Sequence, residues 1–282
     1  VAQHPLDVKF EGGIRLAGYD LAKQVVKPGE VVSVVLYWET NVAPLTVNLQ
    51  PFVHLDRLNE WTTIADATNY TPGDVTTESN LPTFHWDTAR YVRDEHDLII
   101  PPTAEPQVYA VRAGLVDPDQ TGALWPLAGG SGDTVHLALI NVAPTAEPAP
   151  LAHPLQVPFA GPADTIDLAG FEITAQDTAR LEFSLAWRSR QTPQRDYTVF
   201  AQLLDMNQNL VASFDQPPRN GTYPTDTWLA GQTVIDPRFV PLTGIAPGPY
   251  QLIVGLYDSA TQKRLVTPQG ADFITLTTVT IE

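Results

Sequence analysis

The densest group of chemistry-bearing side chains in this chain is His85, Asp87, Asp94, His96 and Asp97. Imidazole nitrogens and carboxylate oxygens are ligands for zinc and other divalent ions. Their spacing here follows no established ligand pattern, and the segment reads as a solvated polar loop. Asp117-Pro118-Asp119-Gln120-Thr121-Gly122 puts oxygens at alternate positions, as calcium loops do, with Asp117 and Asp119 the candidate ligands. The matching stretch Asp258-Ser259-Ala260-Thr261-Gln262-Lys263 keeps one carboxylate and sets a cation where Gly122 stands, so a shared hairpin turn explains both better than calcium. No metal or other cofactor is expected. With 32 Asp and Glu residues, some carboxylate pair will be close by chance. The acids that recur, Asp66 with Asp215 and Asp94 with Asp236, behave as fold-supporting residues that bond a loop backbone. The chain has no G-x-S-x-G elbow, phosphate-binding glycine loop or H-E-x-x-H, and it is not expected to be an enzyme.

Aromatic residues are the stronger lead. Trp61 and Trp125 sit beside turn-like segments and have no counterpart elsewhere in the chain, so each is a candidate for stacking on a sugar or touching a protein. In the run 199–203 the inward set is Val199, Ala201 and Leu203, which turns Phe200 and Gln202 outward; Phe52 and His54 occupy the same positions in an earlier run. A large apolar side chain on an outward face implies that something covers it. Asn69-Tyr70-Thr71 and Asn220-Gly221-Thr222 fit the glycosylation pattern.

The elements that position these residues come in two copies. Ile14-Arg15-Leu16-Ala17-Gly18-Tyr19 returns as Ile166-Asp167-Leu168-Ala169-Gly170-Phe171, and Ala113-Gly114-Leu115-Val116-Asp117 returns as Val254-Gly255-Leu256-Tyr257-Asp258. Val32, Val34, Leu36 and Trp38 alternate with smaller or polar residues, as do Leu181, Phe183, Leu185 and Trp187, so each set lies on the buried face of a strand. Turn signals such as Lys27-Pro28-Gly29 and Asn220-Gly221 separate the runs, and no stretch of helical length shows a 3.6-residue period. The expectation is an all-β chain of two tandem antiparallel β-sandwich domains, immunoglobulin-like or jelly-roll, at residues 1–142 and 158–282, joined by a Pro-rich linker at 143–157.

Composition narrows the partners. The chain has 282 residues and a net charge of −16, which argues against nucleic acid and against anionic membrane surfaces. It lacks cysteine, so it has neither disulfides nor thiolate metal sites. No apolar run approaches the ~18 residues of a membrane helix, so no direct membrane insertion is expected. The stretches at 196–205, 215–228 and 246–258, with L-A-G-F before them, resemble β-sandwich modules on the extracytoplasmic ends of some bacterial membrane proteins, glycosyltransferase-like ones included. The resemblance covers most of 166–281, and the first copy is a degraded version of it. It implies an extracellular or cell-surface accessory module without catalytic residues. The expected role is therefore a structural or interaction module, as spacer or filament subunit, with other protein subunits as partners; the alternatives are binding of cell-surface glycans and, through paired carboxylates, a glycoside-acting enzyme. Residues 1–10, alternating at Leu6, Val8 and Phe10, are the candidate donor strand for self-assembly.

Overall fold

The computed structural model describes residues 2–60, 62–68, 82–120, 122–130 and 132–282. The chain divides between Thr145 and Ala146 into two compact units. The first contains β1 (His4–Lys9), β2 (Ile14–Leu21), β3 (Val25–Val26), β4 (Val31–Thr40), β5 (Gln50–Arg57), β6 (Thr63–Thr68), β7 (Val92–Ile99), β8 (Gln107–Asp117), β9 (Ala123–Leu124) and β10 (Thr134–Val142). The second contains β11 (His153–Ala160), β12 (Thr165–Gln176), β13 (Arg180–Ser189), β14 (Tyr197–Leu204), β15 (Leu210–Gln216), β16 (Thr233–Pro241), β17 (Gly248–Asp258) and β18 (Ile274–Ile281).

Each domain is a two-sheet β-sandwich. The sheet orders are β1-β2-β4-β7 and β3-β10-β8-β5-β6 in the first, β11-β12-β13-β16 and β15-β14-β17-β18 in the second. With β1 and β11 set aside, the remaining principal strands take the A-B-E and C′-C-F-G places of an immunoglobulin-like sandwich. In a jelly roll the first and last strands would share a sheet; here they do not. A second mark of this order is a tyrosine early in the F strand whose hydroxyl bonds backbone just upstream. Tyr109 Oη donates to Glu105 O at 3.1 Å and Tyr250 Oη to Ala246 O at 2.8 Å.

The alternating runs build the core as expected. Val32, Val34, Leu36 and Trp38 are fully buried, and so are Leu181, Leu185 and Trp187. Each tryptophan meets a phenylalanine edge-on, Phe10 at 5.6 Å from Trp38 and Phe159 at 6.1 Å from Trp187. These phenylalanines close a repeat that opens both domains, His4-Pro5-Leu6-Asp7-Val8-Lys9-Phe10 and His153-Pro154-Leu155-Gln156-Val157-Pro158-Phe159. His4 stacks on Tyr19 and His153 on Phe171, with centroids 4.6 and 4.7 Å apart.

Two sequence expectations change here. Residues 153–157, assigned to the linker, lie in β11, which pairs antiparallel with β12. Ahead of them Glu147 accepts a hydrogen bond from Thr233 Oγ1 and lies 3.7 Å from Arg188, so the second domain begins earlier than residue 158. Proline has no N–H to give a ladder, and an edge strand tolerates it; the prolines of this stretch mark an edge as well as a connection. The candidate donor strand likewise pairs in cis: β1 lies against β2, and Phe10 is part of its own domain's core.

The repeated A-G-L and V-G-L triplets have a packing cause. Phe52 lies across Gly114 on the neighbouring strand, and a Cβ there would meet the Phe52 ring at 2.6 Å and Asp133 O at 3.1 Å; Phe200 covers Gly255 in the same way. Gly114→Ala and Gly255→Ala should each lower stability by about 1–3 kcal/mol through overpacking. Urea unfolding measures this, and an unchanged midpoint in both variants would show that the rings move aside freely.

Candidate functional site

The outward face of β5 gathers the richest chemistry. Strand register sets Asp66, His54 and Arg112 side by side on β6, β5 and β8. His54 Nε2 lies 3.2 Å from Asp66 Oδ1. His54 Nδ1 is 3.3 Å from an Arg112 amino group and 3.5 Å from Thr63 Oγ1. Two residues along, Asp56 is fully buried; it accepts from Arg112 Nε at 2.6 Å and from Thr63 Oγ1 at 2.7 Å. Carboxylate, imidazole and hydroxyl thus stand in the order of a hydrolytic triad. The Thr63 proton is directed at Asp56, however, and the His54 nitrogen nearest the hydroxyl takes an N–H from Arg112. This arrangement does not activate Thr63 as a nucleophile. It fits structural pairing, or recognition of a polar ligand that exchanges bonds with Asp66 and His54.

The second domain answers how much of this is needed to cover the sheet. There Leu204 stands for Asp56, Ile253 for Arg112 and Gln202 for His54. Phe200, Leu204 and Ile253 form a small apolar cluster, with Tyr257 and Phe273 packed against it. Arg264 lies 4.2 Å over the Phe200 ring. Phe52 and Phe200 are both buried by their own domains, so neither offers an open apolar surface. Gln202 is partly exposed and donates to Ser213 Oγ at 3.3 Å.

The other candidates separate. Trp125 is half-buried and its indole N–H donates to Glu11 O at 2.8 Å, so it folds back over the turn before β2. Beside that turn lies a hollow of about 470 Å³ lined by Lys9, Glu11, Arg15, Glu39 and Asn41, among others. Trp61 and the sequon at Asn69 lie outside the described residues. The Asp117 carboxylate accepts Asp119 N at 3.0 Å and Gln120 Nε2 at 2.8 Å. Asp258 accepts Ala260 N and Thr261 N in the same hairpin geometry. Burial opposes its charge, but the bonds from Arg195 and these N–H groups prevail and hold the carboxyl at about 2.

Of the segment read as a polar loop, residues 92–99 form strand β7, while His85 ends a 3-10 turn and Asp87 lies in the connection between them. Asp94 and His96 are buried in the sandwich, whereas Asp97 and His85 are exposed. Among the described residues, no three His, Cys, Asp or Glu side chains are grouped to hold a metal ion. The second domain carries a groove of about 770 Å³ between Glu147–Leu151 and the outer face of its first sheet, with Asp167, Arg188 and Arg190 on its wall. No protein-family model matches the chain, and no curated protein matches it.

Two measurements test the electrostatics. Removing one partner of a buried pair strands the other, so Arg112→Ala should cost about 3–5 kcal/mol; copying the second domain with Asp56→Leu and Arg112→Ile together should be neutral or stabilising. A double variant as unstable as the single one would mean that the charges do more than cover the sheet. Burial pushes the His54 imidazole below its ordinary value; Asp66 opposes this and Arg112 adds to it. The unfolded chain therefore binds the proton first, and stability should be level above about pH 7 and fall as pH drops below about 6.5. His54→Gln should remove that portion of the acid loss, as read from unfolding midpoints across pH 5–8.

Proposed function

We propose that this chain is a non-catalytic tandem β-sandwich module displayed outside the cell, where it serves as a spacer or as a subunit of an assembly. One observation carries the reading: among the described candidates, the aromatic residues are spent on packing within their own domains. Phe52 and Phe200 are covered by neighbouring strands, and Trp125 gives its N–H to its own backbone. Of the acids that recur between copies, Asp94 and Asp236 are buried and hydrogen-bonded, and Asp66 and Asp215 are exposed and paired with His54 and Ser213 of their own domains. The resemblance of most of residues 166–281 to extracytoplasmic modules supports the exported setting.

A glycan-binding reading has one observation in its favour. On the outer face of the first sheet, Tyr91 is 59% exposed and meets Tyr37 edge-on at 5.8 Å. The Tyr37 hydroxyl donates to Asp20 Oδ2 at 2.7 Å. An exposed aromatic flanked by polar groups suits a sugar face. The second domain has Ala186 and Thr233 at the two tyrosine positions.

Electron microscopy with light scattering on native material tests the primary reading. Filaments, lattices or a defined oligomer support an assembly subunit, and a monomer supports a spacer. Retention on polysaccharide gels that is lost in Tyr37→Ala with Tyr91→Ala would overturn both in favour of glycan binding.

A further inference from the structure

Sheet edges in this molecule carry devices that discourage pairing with another chain. β1 and β11 hold Pro5, Pro154 and Pro158; β16 holds Pro237 and Pro241; β7 carries Arg93, Glu95 and Asp97. β6 and β15 carry Asp66 and Asp215. Prolines and charges are the usual means of blunting an edge. At the fourth side of the first domain, β3 covers the end of β10 in parallel, Val25 beside Asn141 and Val26 beside Val142.

The equivalent edge of the second domain is β18, and it lacks these devices. Its sequence, Ile274-Thr275-Leu276-Thr277-Thr278-Val279-Thr280-Ile281, contains neither proline nor charge. Among the described residues, β18 pairs with β17 on one side and ends its sheet on the other. A bulge interrupts the ladder at Leu276, and the run Thr277–Ile281 beyond it is regular. Where β3 lies in the first domain, the second has an open groove of about 320 Å³, lined by residues 176–178 and 280–282. Gln176 Nε2 reaches Thr280 O there at 2.7 Å, and β12 continues to Gln176 without the detour that forms β3.

We propose that β18 is a pairing edge, and that its occupant is β18 of a second copy of this chain, antiparallel across a two-fold axis. This rests on the assembly form of the function proposed above. A two-fold axis makes the interface self-complementary. In a chain with a net charge of −16, most surfaces would set like charges against each other; two uncharged strands meet without that cost. Thr275, Thr278 and Thr280 are exposed, and threonine pairs are favourable across antiparallel strands. In the first domain two residues, Val25 and Val26, already pair with the end of the strand at the G position, in parallel.

The test is sedimentation of the full chain over a wide concentration range, with hydrogen exchange read at both ends. The expected result is a reversible dimer whose β18 amides exchange slowly only when dimeric. Thr278→Lys with Thr280→Lys should give a monomer with an unchanged unfolding midpoint. Ser213→Lys with Asp215→Lys, on the opposite edge of the same sheet, should leave the dimer intact. An oligomer that survives the β18 lysines, or is lost equally with the β15 lysines, overturns the β18 edge and leaves the assembly reading standing. A wild-type monomer at every concentration overturns both this edge and the assembly reading, leaving the spacer.

Discussion

Each sandwich depends on a carboxylate buried between its sheets. A charge in that position is tolerable only if its lone pairs are filled. In the first domain Asp94 Oδ2 lies 2.8 Å from His96 Nε2 and accepts the Trp38 indole N–H at 3.3 Å. His96 then reaches from β7 to Ala67 O on β6, 2.6 Å away. In the second domain Asp236 accepts Arg219 N at 2.7 Å and Arg238 Nε at 2.6 Å. Arg238 in turn reaches Gln216 O on β15 at 2.6 Å and Val199 O at 3.2 Å. β7 and β6, like β16 and β15, belong to different sheets, so in both domains this pair ties the sheets together at one open side. His96 and Arg238 occupy equivalent positions, each set between the acid and a backbone oxygen of the facing sheet.

A second recurring device sits where the chain leaves one sheet for the other. Buried Thr83 accepts Leu49 N and donates to Val47 O, both at 2.8 Å. Thr225 accepts Tyr197 N at 2.8 Å and donates to Arg195 O at 2.9 Å. A crossing segment has backbone groups that no ladder satisfies, and one hydroxyl serves as donor and acceptor together. The Pro-Thr pair that precedes Trp86 and Trp228 is therefore a backbone clamp, with each tryptophan buried behind it.

The strands legible in the sequence were those whose inward positions are apolar, Val32 to Trp38 and Leu181 to Trp187. β7 was missed because two of its inward positions are Asp94 and His96; the period of two is intact, but hydrophobicity does not reveal it. β11 was missed for the opposite reason, since Pro154 and Pro158 look like linker until the strand is seen at an edge. The match between His4–Phe10 and His153–Phe159 was the available signal. The site was less legible than the fold. Phe52 and His54 lie on the face of β5 opposite Val53 and Leu55, yet Asp56, Thr63 and Arg112 enter only through register across three strands. Coverage of Phe52 by a glycine opposite also needs that register, because the missing Cβ belongs to another strand.

The two domains also differ in the partner of the buried acid and in what that leaves for the tryptophan beside it. With histidine as the partner, Asp94 keeps a lone pair for the tryptophan. In the second domain Asp236 accepts from Arg238 and a loop amide, and Trp187 Nε1 is buried with no hydrogen-bond partner among the described residues. An unsatisfied buried donor costs about 1–3 kcal/mol. Arg238 offsets this by bonding two backbone oxygens where His96 bonds one, and it holds β14 as well as β15. The second domain thus trades a tighter tryptophan for a wider tie between sheets. The first domain carries a further ion pair on its outer face, Asp56 with Arg112. A shared order of principal strands therefore carries different surfaces: Asp56 and Arg112 stand on one domain where Leu204 and Ile253 stand on the other, and among the described residues β3 has no counterpart in the second.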